Sequence, residues 1–269
     1  MDILGFQIPA SSRVSFLYAE KGYLELDGNA VVLKNENQRT HFPVGAASAI
    51  LVMPGTVVTH AAVRACAESE CLLLWVGEGG VRCYSAGNPG RKADAILRQA
   101  GYFLDDGKRL VVARKIFSLM FDEPAPEHRS IEQLRGMEGA RVRALYPELA
   151  RAAGIDWAGR DQTNAMSDPL NRMISGANAA LYGLCEAVIV TLGYVPSIGF
   201  VHSGDERSFV FDVADCLKFK TVVPLAMNVY RESPNGDADG LVRRACRDLF
   251  RECRMAERIV SILDGLFDA

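Results

Sequence analysis

The first third of the chain alternates short apolar runs with turn-forming residues, a pattern typical of β-structure. Four runs rich in β-branched or aromatic side chains have the length of a strand, at residues 30–33, 49–53, 71–76 and 81–84. Glycine-containing turns separate them. Residues 60–68 have the composition of a short helix. A strand-like run follows the glycines of residues 77–80, so these glycines indicate a hairpin turn and not a phosphate-binding loop.

From residue 92 onward the apolar positions recur at helical spacing. Ser130-Ile-Glu-Gln133 is a capping box, in which two side chains satisfy reciprocal backbone N–H groups, and it predicts a helix from there through Leu145. Two further helices are predicted, over residues 175–192 and 241–263.

A cluster of Gly, Pro and Asn over residues 85–91 separates the strand-like part of the chain from the helical part. The predicted fold class is therefore α+β. A small β-rich N-terminal domain is expected over residues 1–88, followed by a larger all-helical domain over residues 89–269.

The composition describes a globular protein, because 49% of its 269 residues are hydrophobic and 23% are charged. The net charge of −3 provides no overall basic field, so any nucleic-acid-binding surface has to be a local patch. The seven cysteines include no Cys-x-x-Cys pair, and several lie in apolar runs. This usage argues against a disulfide framework or a structural zinc and favours a reducing, cytoplasmic compartment.

No secretory or membrane segment is predicted. The N-terminal residues lack the basic start and long apolar stretch of a signal peptide. The most apolar window, residues 183–201, is interrupted by Glu186 and Pro196 and fits a buried helix followed by a loop.

Candidate chemistry is concentrated between residues 195 and 220. His202 follows an apolar run, and Asp212, Asp215 and Lys218 come at steps of three, which places them on one face if the segment is helical. Buried charge is costly unless it is paired or binds a metal, and imidazole with carboxylates is a ligand set for divalent cations. The residues alone leave two alternatives open: a hydrogen-bonded structural histidine, and acidic residues at a helix N-terminus.

A second candidate lies within the capped helix, where Glu138 stands between Gly136 and Gly139. Glycine lowers helix propensity, so this composition suggests that another group approaches the backbone closely, such as a nucleic-acid strand, a metal shell or a neighbouring helix. The alternative is an exposed glutamate paired with Arg135 or Arg141 at helical spacing.

The predicted C-terminal helix carries arginines at steps of four, four, three and four. At about 100° per residue they lie within roughly an 80° arc. They are Arg243, Arg247, Arg251, Arg254 and Arg258. This basic stripe is suited to binding phosphates, but a solvated face with interspersed acids fits it equally well.

Taken together, three motifs resemble those of one protein family. They are Gln-Leu-Arg-Gly-Met-Glu138, Gly-Phe-Val-His202-Ser-Gly and Phe-Val-Phe-Asp-Val-Ala-Asp215. Further runs extend the resemblance over almost the whole chain, among them His41-Phe-Pro-Val-Gly and Thr221-Val-Val-Pro. The chain resembles the Cas1 endonuclease of CRISPR adaptation, in its type I-E form.

The resemblance implies a metal-dependent DNA endonuclease and integrase that inserts new spacers into a CRISPR array by attack of a 3′-hydroxyl, as part of antiviral defence. It implies that Glu138, His202 and Asp215 are catalytic and bind Mg²⁺ or Mn²⁺, with support from Asp212 and Lys218. The remaining DNA contacts expected from the resemblance and the arginine stripe are Arg82, Tyr182, Arg243, Arg247 and Arg251, together with Lys218.

The resemblance also implies partners: double-stranded DNA, a second copy of the chain held through the N-terminal domain, and a Cas2 subunit that bridges two such dimers. Two features depart from the family pattern. Residues 205–207 read Asp-Glu-Arg where relatives have a basic residue nearer the active site, and the sequence ends at Ala269 without a Pro-rich tail used by some relatives to grip Cas2.

Two other functions compete with this interpretation. One is an architectural DNA-binding subunit whose metal site is silent or structural. The other is a hydrolase that uses His202 with Ser203, but the chain lacks a Gly-x-Ser-x-Gly elbow at that place.

Overall fold

The computed structural model describes residues 16–28, 30–36, 38–77, 83–86, 93–159, 168–234 and 238–267. Within these residues every strand precedes residue 87, and every helix but the first follows residue 93. The predicted α+β class is therefore confirmed. The boundary predicted at residue 88 lies outside the described residues and stays a prediction.

The N-terminal part contains eight strands and one helix among the described residues. These are β1 (Phe16–Ala19), β2 (Gly22–Asp27), β3 (Ala30–Lys34), β4 (Arg39–Phe42), β5 (Ala49–Val52), β6 (Thr56–Val58), α1 (His60–Glu68), β7 (Leu72–Val76) and β8 (Cys83–Ala86). The strands form two four-stranded sheets, in the orders β1-β5-β7-β8 and β4-β3-β2-β6. In the first sheet only β8 runs antiparallel to its neighbour.

The sheet that contains β5 is buried on both faces. Ile50 and Val52 pack with residues of the other sheet and of α1, whereas Ala49 and Leu51 pack toward Ala187 of a long helix in the C-terminal part. Successive side chains of a strand point to opposite faces, so burial on both sides requires an unbroken apolar run. This explains why β5 and β7 were predictable from the sequence.

Four strands were not predicted: β1, β2, β4 and β6. In β4 only Phe42 is buried, and in β2 only Leu24 is buried. The strands β2 and β4 lack a continuous apolar run because one face is solvated, and they depend on hydrogen bonds to neighbouring strands. The helix predicted at residues 60–68 is confirmed as α1.

The C-terminal part is helical throughout its described residues. The helices are α2 (Asp94–Leu104), α3 (Asp106–Phe121), α4 (Ile131–Ala152), α5 (Pro169–Thr191), α6 (Ser208–Lys218), α7 (Val222–Glu232), α8 (Ala238–Glu252) and α9 (Met255–Leu266). The capping box of Ser130 and Gln133 is present at the start of α4, as predicted.

The centre of the helical part is α5, which begins after the N-cap Asp168 with Pro169 in its first turn. It is the one helix, among the described residues, that is long and apolar enough to cross a membrane, but 67% of its most apolar window is buried inside the protein. A helix that is apolar on most sides and covered by other elements is a core helix. The predicted buried helix before a loop is confirmed.

The single helix predicted over residues 241–263 is wrong. Arg254 has a left-handed backbone with φ of 49°, which ends α8 and starts α9. The helical arc calculated for five arginines therefore applies only to the three on α8. Arg254 lies at the break, and Arg258 belongs to a differently oriented helix.

Candidate metal centre

Three elements bring together the carboxylates and the imidazole that the sequence singled out. Glu138 lies on α4, His202 on the loop between α5 and α6, and Asp215 on α6. One donor atom of each residue lies within 4.8 Å of the others, and Asp215 is buried while the other two are half-buried. These are nitrogen and oxygen donors of the kind that bind Mg²⁺ or Mn²⁺.

Asp212 of α6 holds the loop that carries His202 in position. Its fully buried carboxylate accepts hydrogen bonds from the backbone N–H groups of Phe200 at 2.5 Å, Val201 at 3.1 Å and His202 at 2.9 Å. The Nδ1 atom of the His202 ring lies 2.8 Å from the same carboxylate. The carboxylate acts as an acceptor, so Nδ1 carries the proton and Nε2 is left as the donor atom for a metal.

The loop before His202 is tightly closed. A Cβ atom at Gly199 would lie 2.5 Å from the carbonyl oxygen of His202 and 2.7 Å from the backbone of Ser208. Only glycine fits there without backbone movement. The glycine of the Gly-Phe-Val-His sequence thus allows the loop to fold back onto α6.

A contact that the sequence reasoning missed supports the other end of this loop. Gln99 of α2 is fully buried and its amide hydrogen-bonds to the backbone of Val195 and Ile198. The one available signal was a glutamine among apolar residues at helical spacing, as in Ile96, Gln99 and Phe103.

Lys218 pairs with Asp215 over 2.5 Å, at the i,i+3 spacing predicted for one face of a helix. Burial alone would lower the pKa of Lys218, but the neighbouring Asp215 carboxylate raises it above its ordinary value. The first turn of α6 contains no acidic residue, so the alternative that Asp212 and Asp215 mark a helix N-terminus is wrong.

The centre concentrates negative charge. Burial and the nearby Asp215 raise the pKa of Glu138 above its ordinary value, and His202 and Lys218 only partly oppose this. Burial would lower the pKa of His202, but the hydrogen bond and charge of Asp212 outweigh it, so the pKa is raised. A bound cation would relieve this repulsion between carboxylates. The residues therefore fit a metal site.

The alternative for Glu138 was an exposed glutamate paired with Arg135 or Arg141. It is wrong in its exposure, because Glu138 is half-buried. Arg141 pairs with Glu123, and its guanidinium lies over the rings of Phe117 at 5.1 Å and Phe121 at 4.9 Å. Glu138 is therefore free of that ion pair and lies half-buried beside Asp215.

Comparisons with known proteins place the chain in a family. The family described as CRISPR associated protein Cas1 matches residues 16–123 and 121–235, most of the chain. The chain belongs to the Cas1 family.

Members of this family align with nearly the whole chain. Proteins named CRISPR-associated endonuclease Cas1 from Geobacter sulfurreducens and from Escherichia coli K12 are each 46% identical over 267 residues, which cover 97% of this chain and 87% of the relative. The solved structure of a TtCas1–DNA complex has a TM-score of 0.87 and 37% identity, covering 98% of this chain and 99% of that one. The structure of TtCas1 has a TM-score of 0.86 and 38% identity, covering 95% and 98%.

One DNA contact expected from the Cas1 resemblance, Tyr182, lies close to the candidate metal ligand His202. Its ring centroid is 5.1 Å from that of Phe211, which is 5.8 Å from the His202 ring. Burial raises the pKa of Tyr182 above its ordinary value, and the charge of Lys218 opposes this only in part. The guanidinium of Arg207 lies 5.3 Å from the Phe211 ring centroid, so the segment that departs from the Cas1 pattern still places a cation beside this aromatic pair.

The other predicted DNA contacts are more dispersed. Arg243, Arg247 and Arg251 lie on α8. Arg247 pairs with Asp248 at 3.0 Å, and Arg251 pairs with Glu20 at 2.6 Å while lying over the Tyr18 ring. Arg82 lies outside the described residues. Their roles in this Cas1 family member remain predictions.

Proposed function

We propose that this chain is a metal-dependent DNA endonuclease and integrase of CRISPR adaptation, which inserts new spacers through attack of a DNA 3′-hydroxyl on a repeat phosphodiester. The observation that carries the proposal is the cluster of Glu138, His202 and Asp215, with donor atoms within 4.8 Å of one another. Relatives named endonuclease and a TtCas1–DNA complex support a nuclease that acts on DNA.

Each residue has a distinct task in this proposal. Glu138 and Asp215 supply the negative charge that holds Mg²⁺ or Mn²⁺, and His202 supplies a nitrogen donor. Asp212 keeps the imidazole in one tautomer, and Lys218 holds the Asp215 side chain in place through their ion pair. When bound, the divalent ion supplies Lewis-acid polarisation of the phosphate and stabilises the oxygen that leaves.

The assembly is proposed from the family resemblance. Residues 1–88 would join two copies of the chain, a Cas2 subunit would bridge two such dimers, and double-stranded DNA would be the substrate. All seven cysteines are thiols and not disulfides, which fits the proposed cytoplasmic location.

The test is an integration assay on supercoiled DNA that carries a CRISPR repeat, with short duplex fragments and a purified Cas2 partner. We expect strand transfer with Mg²⁺ or Mn²⁺ and none in EDTA. Asp215→Ala should abolish strand transfer while circular dichroism shows a folded protein, because two ligands cannot hold the ion. Glu148→Ala, which removes an exposed carboxylate from α4, is the matched control and should retain activity.

Strand transfer that persists in EDTA or in Asp215→Ala would contradict the proposal. Ion-independent DNA binding without strand transfer under any ion would instead favour the architectural subunit.

A further inference from the structure

The loop of residues 195–202, which carries His202, is held at both ends by side chains from other elements. Asp212 of α6 binds the backbone of residues 200–202 at one end. Gln99 of α2 binds the backbone at the other end, at Val195 and Ile198. The first contact lies inside the metal centre, whereas the second comes from a helix that contributes no metal ligand.

The Gln99 amide makes three hydrogen bonds to the loop. Its Oε1 accepts from the N–H of Val195 at 2.8 Å, and its Nε2 donates to the carbonyl oxygens of Val195 at 3.0 Å and Ile198 at 2.8 Å. The residue is 0% exposed, and water cannot replace these bonds without opening the fold. An amide that pairs with both backbone groups of one residue fixes that residue in position and orientation.

A continuous set of contacts connects this anchor to His202. Ile198 is followed by Gly199, whose close packing leaves no room for a side chain. The carbonyl of the next residue, Phe200, accepts a hydrogen bond at 3.3 Å from Nε of Arg109 on α3. The segment between this anchor and His202 therefore has little room to absorb a shift of the backbone at Val195 or Ile198.

We propose that Gln99 is a positioning residue for the metal centre: by fixing the start of the histidine loop, it sets the orientation of His202 and hence the affinity for the divalent ion. This inference rests on the proposed function for its metal, but not for its effect on the imidazole. Gln99 acts through His202 and is not itself a ligand.

The test compares Gln99→Met with Gln99→Asn and the wild type. Methionine matches the length of glutamine but removes all three hydrogen bonds to the loop, whereas asparagine keeps the amide and is one methylene shorter. Val242→Ala is the control, because it destabilises the core at α8, which packs on α5, α7 and α9. Thermal melts establish that each variant is folded at the assay temperature.

The first readout is Mn²⁺ affinity without DNA, measured by electron paramagnetic resonance. Gln99→Met should bind Mn²⁺ about tenfold more weakly or worse, as for outer partners of metal-binding histidines, and Gln99→Asn should restore part of this loss. Val242→Ala should bind as the wild type does. Wild-type affinity in folded Gln99→Met overturns the inference. If Gln99→Met does not fold, unchanged affinity in Gln99→Asn overturns it.

The second readout is the ¹⁵N spectrum of labelled histidine, which is tractable because the chain has four histidines. The Nδ1–H signal of His202, assigned with His202→Gln, should shift in Gln99→Met and stay unchanged in Val242→Ala. This readout needs no metal. If the wild type binds no Mn²⁺, the proposed function fails, while an unmoved His202 signal in Gln99→Met separately overturns the positioning role.

Discussion

The candidate metal centre and the arginine surface of α8 (Arg243, Arg247 and Arg251) were both singled out from the sequence. They differ in how far their polar contacts are buried. At the centre, Asp212 is fully buried and accepts four hydrogen bonds that fix one loop. On α8, Arg247 and Arg251 are partly exposed, and each pairs with a carboxylate at the surface. The hydrogen bonds of the centre are buried, whereas the ion pairs of these arginines are open to solvent.

This difference decides how each region should respond to substitution. Removal of a partner from a buried network leaves other groups without hydrogen bonds, which costs several kcal/mol. Exposed ion pairs contribute about 0–1 kcal/mol, so their loss changes binding more than folding. A single substitution at the centre should therefore abolish most of its activity, whereas each substitution on the arginine surface should weaken DNA binding by a small amount.

The largest effect is expected from Asp212→Asn. The amide nitrogen of asparagine is a donor that would face backbone N–H groups, so the loop of His202 should lose its fixed position. We expect a loss of about 3–5 kcal/mol in the free energy of unfolding and at least a tenfold loss of strand transfer. Urea unfolding and the integration assay measure the two effects.

Asp168→Asn is the control for this variant. Asp168 also accepts backbone N–H groups, but as the N-cap of α5. It should lose about 1 kcal/mol or less and retain strand transfer. Equal losses of activity in the two variants would contradict the prediction that the hydrogen bonds of Asp212 have a particular role in activity.

A smaller, graded effect is expected at Arg243, Arg247 and Arg251. If they contact phosphates of duplex DNA, each Arg→Ala change should reduce the slope of log K against log salt by about 0.9. Binding isotherms at several salt concentrations measure this, with Arg64→Ala on α1 as a control for lost charge. A slope unchanged in the triple variant would assign α8 to a solvated face instead.

The smallest effect is expected from Gly136→Ala on α4. A Cβ at this position meets nothing within 4 Å, so alanine should increase the free energy of unfolding by about 1 kcal/mol through helix propensity. Mn²⁺ affinity should stay unchanged. Weaker DNA binding in this stabilised variant would support the interpretation that a DNA strand approaches the helix beside Glu138, and unchanged DNA binding would contradict it.

The sequence was informative where a local pattern determines the structure. The capping box predicted the start of α4, and the family motifs pointed to the three residues that the fold brings together. The break at Arg254 was missed because a left-handed backbone at a non-glycine residue leaves no clear trace in composition. The contact of Gln99 with Val195 spans 96 residues, and only the assembled fold places them side by side.

The placement of the three donors on separate segments also bears on how the chain folds. Glu138 precedes His202 by about sixty residues, and all of α5 lies between them. Contacts so far apart along the chain pay the full entropy of loop closure, so they tend to form late. Until α4, the His202 loop and α6 have come together, the set of donors is incomplete. The proposed metal chemistry therefore requires the assembled fold.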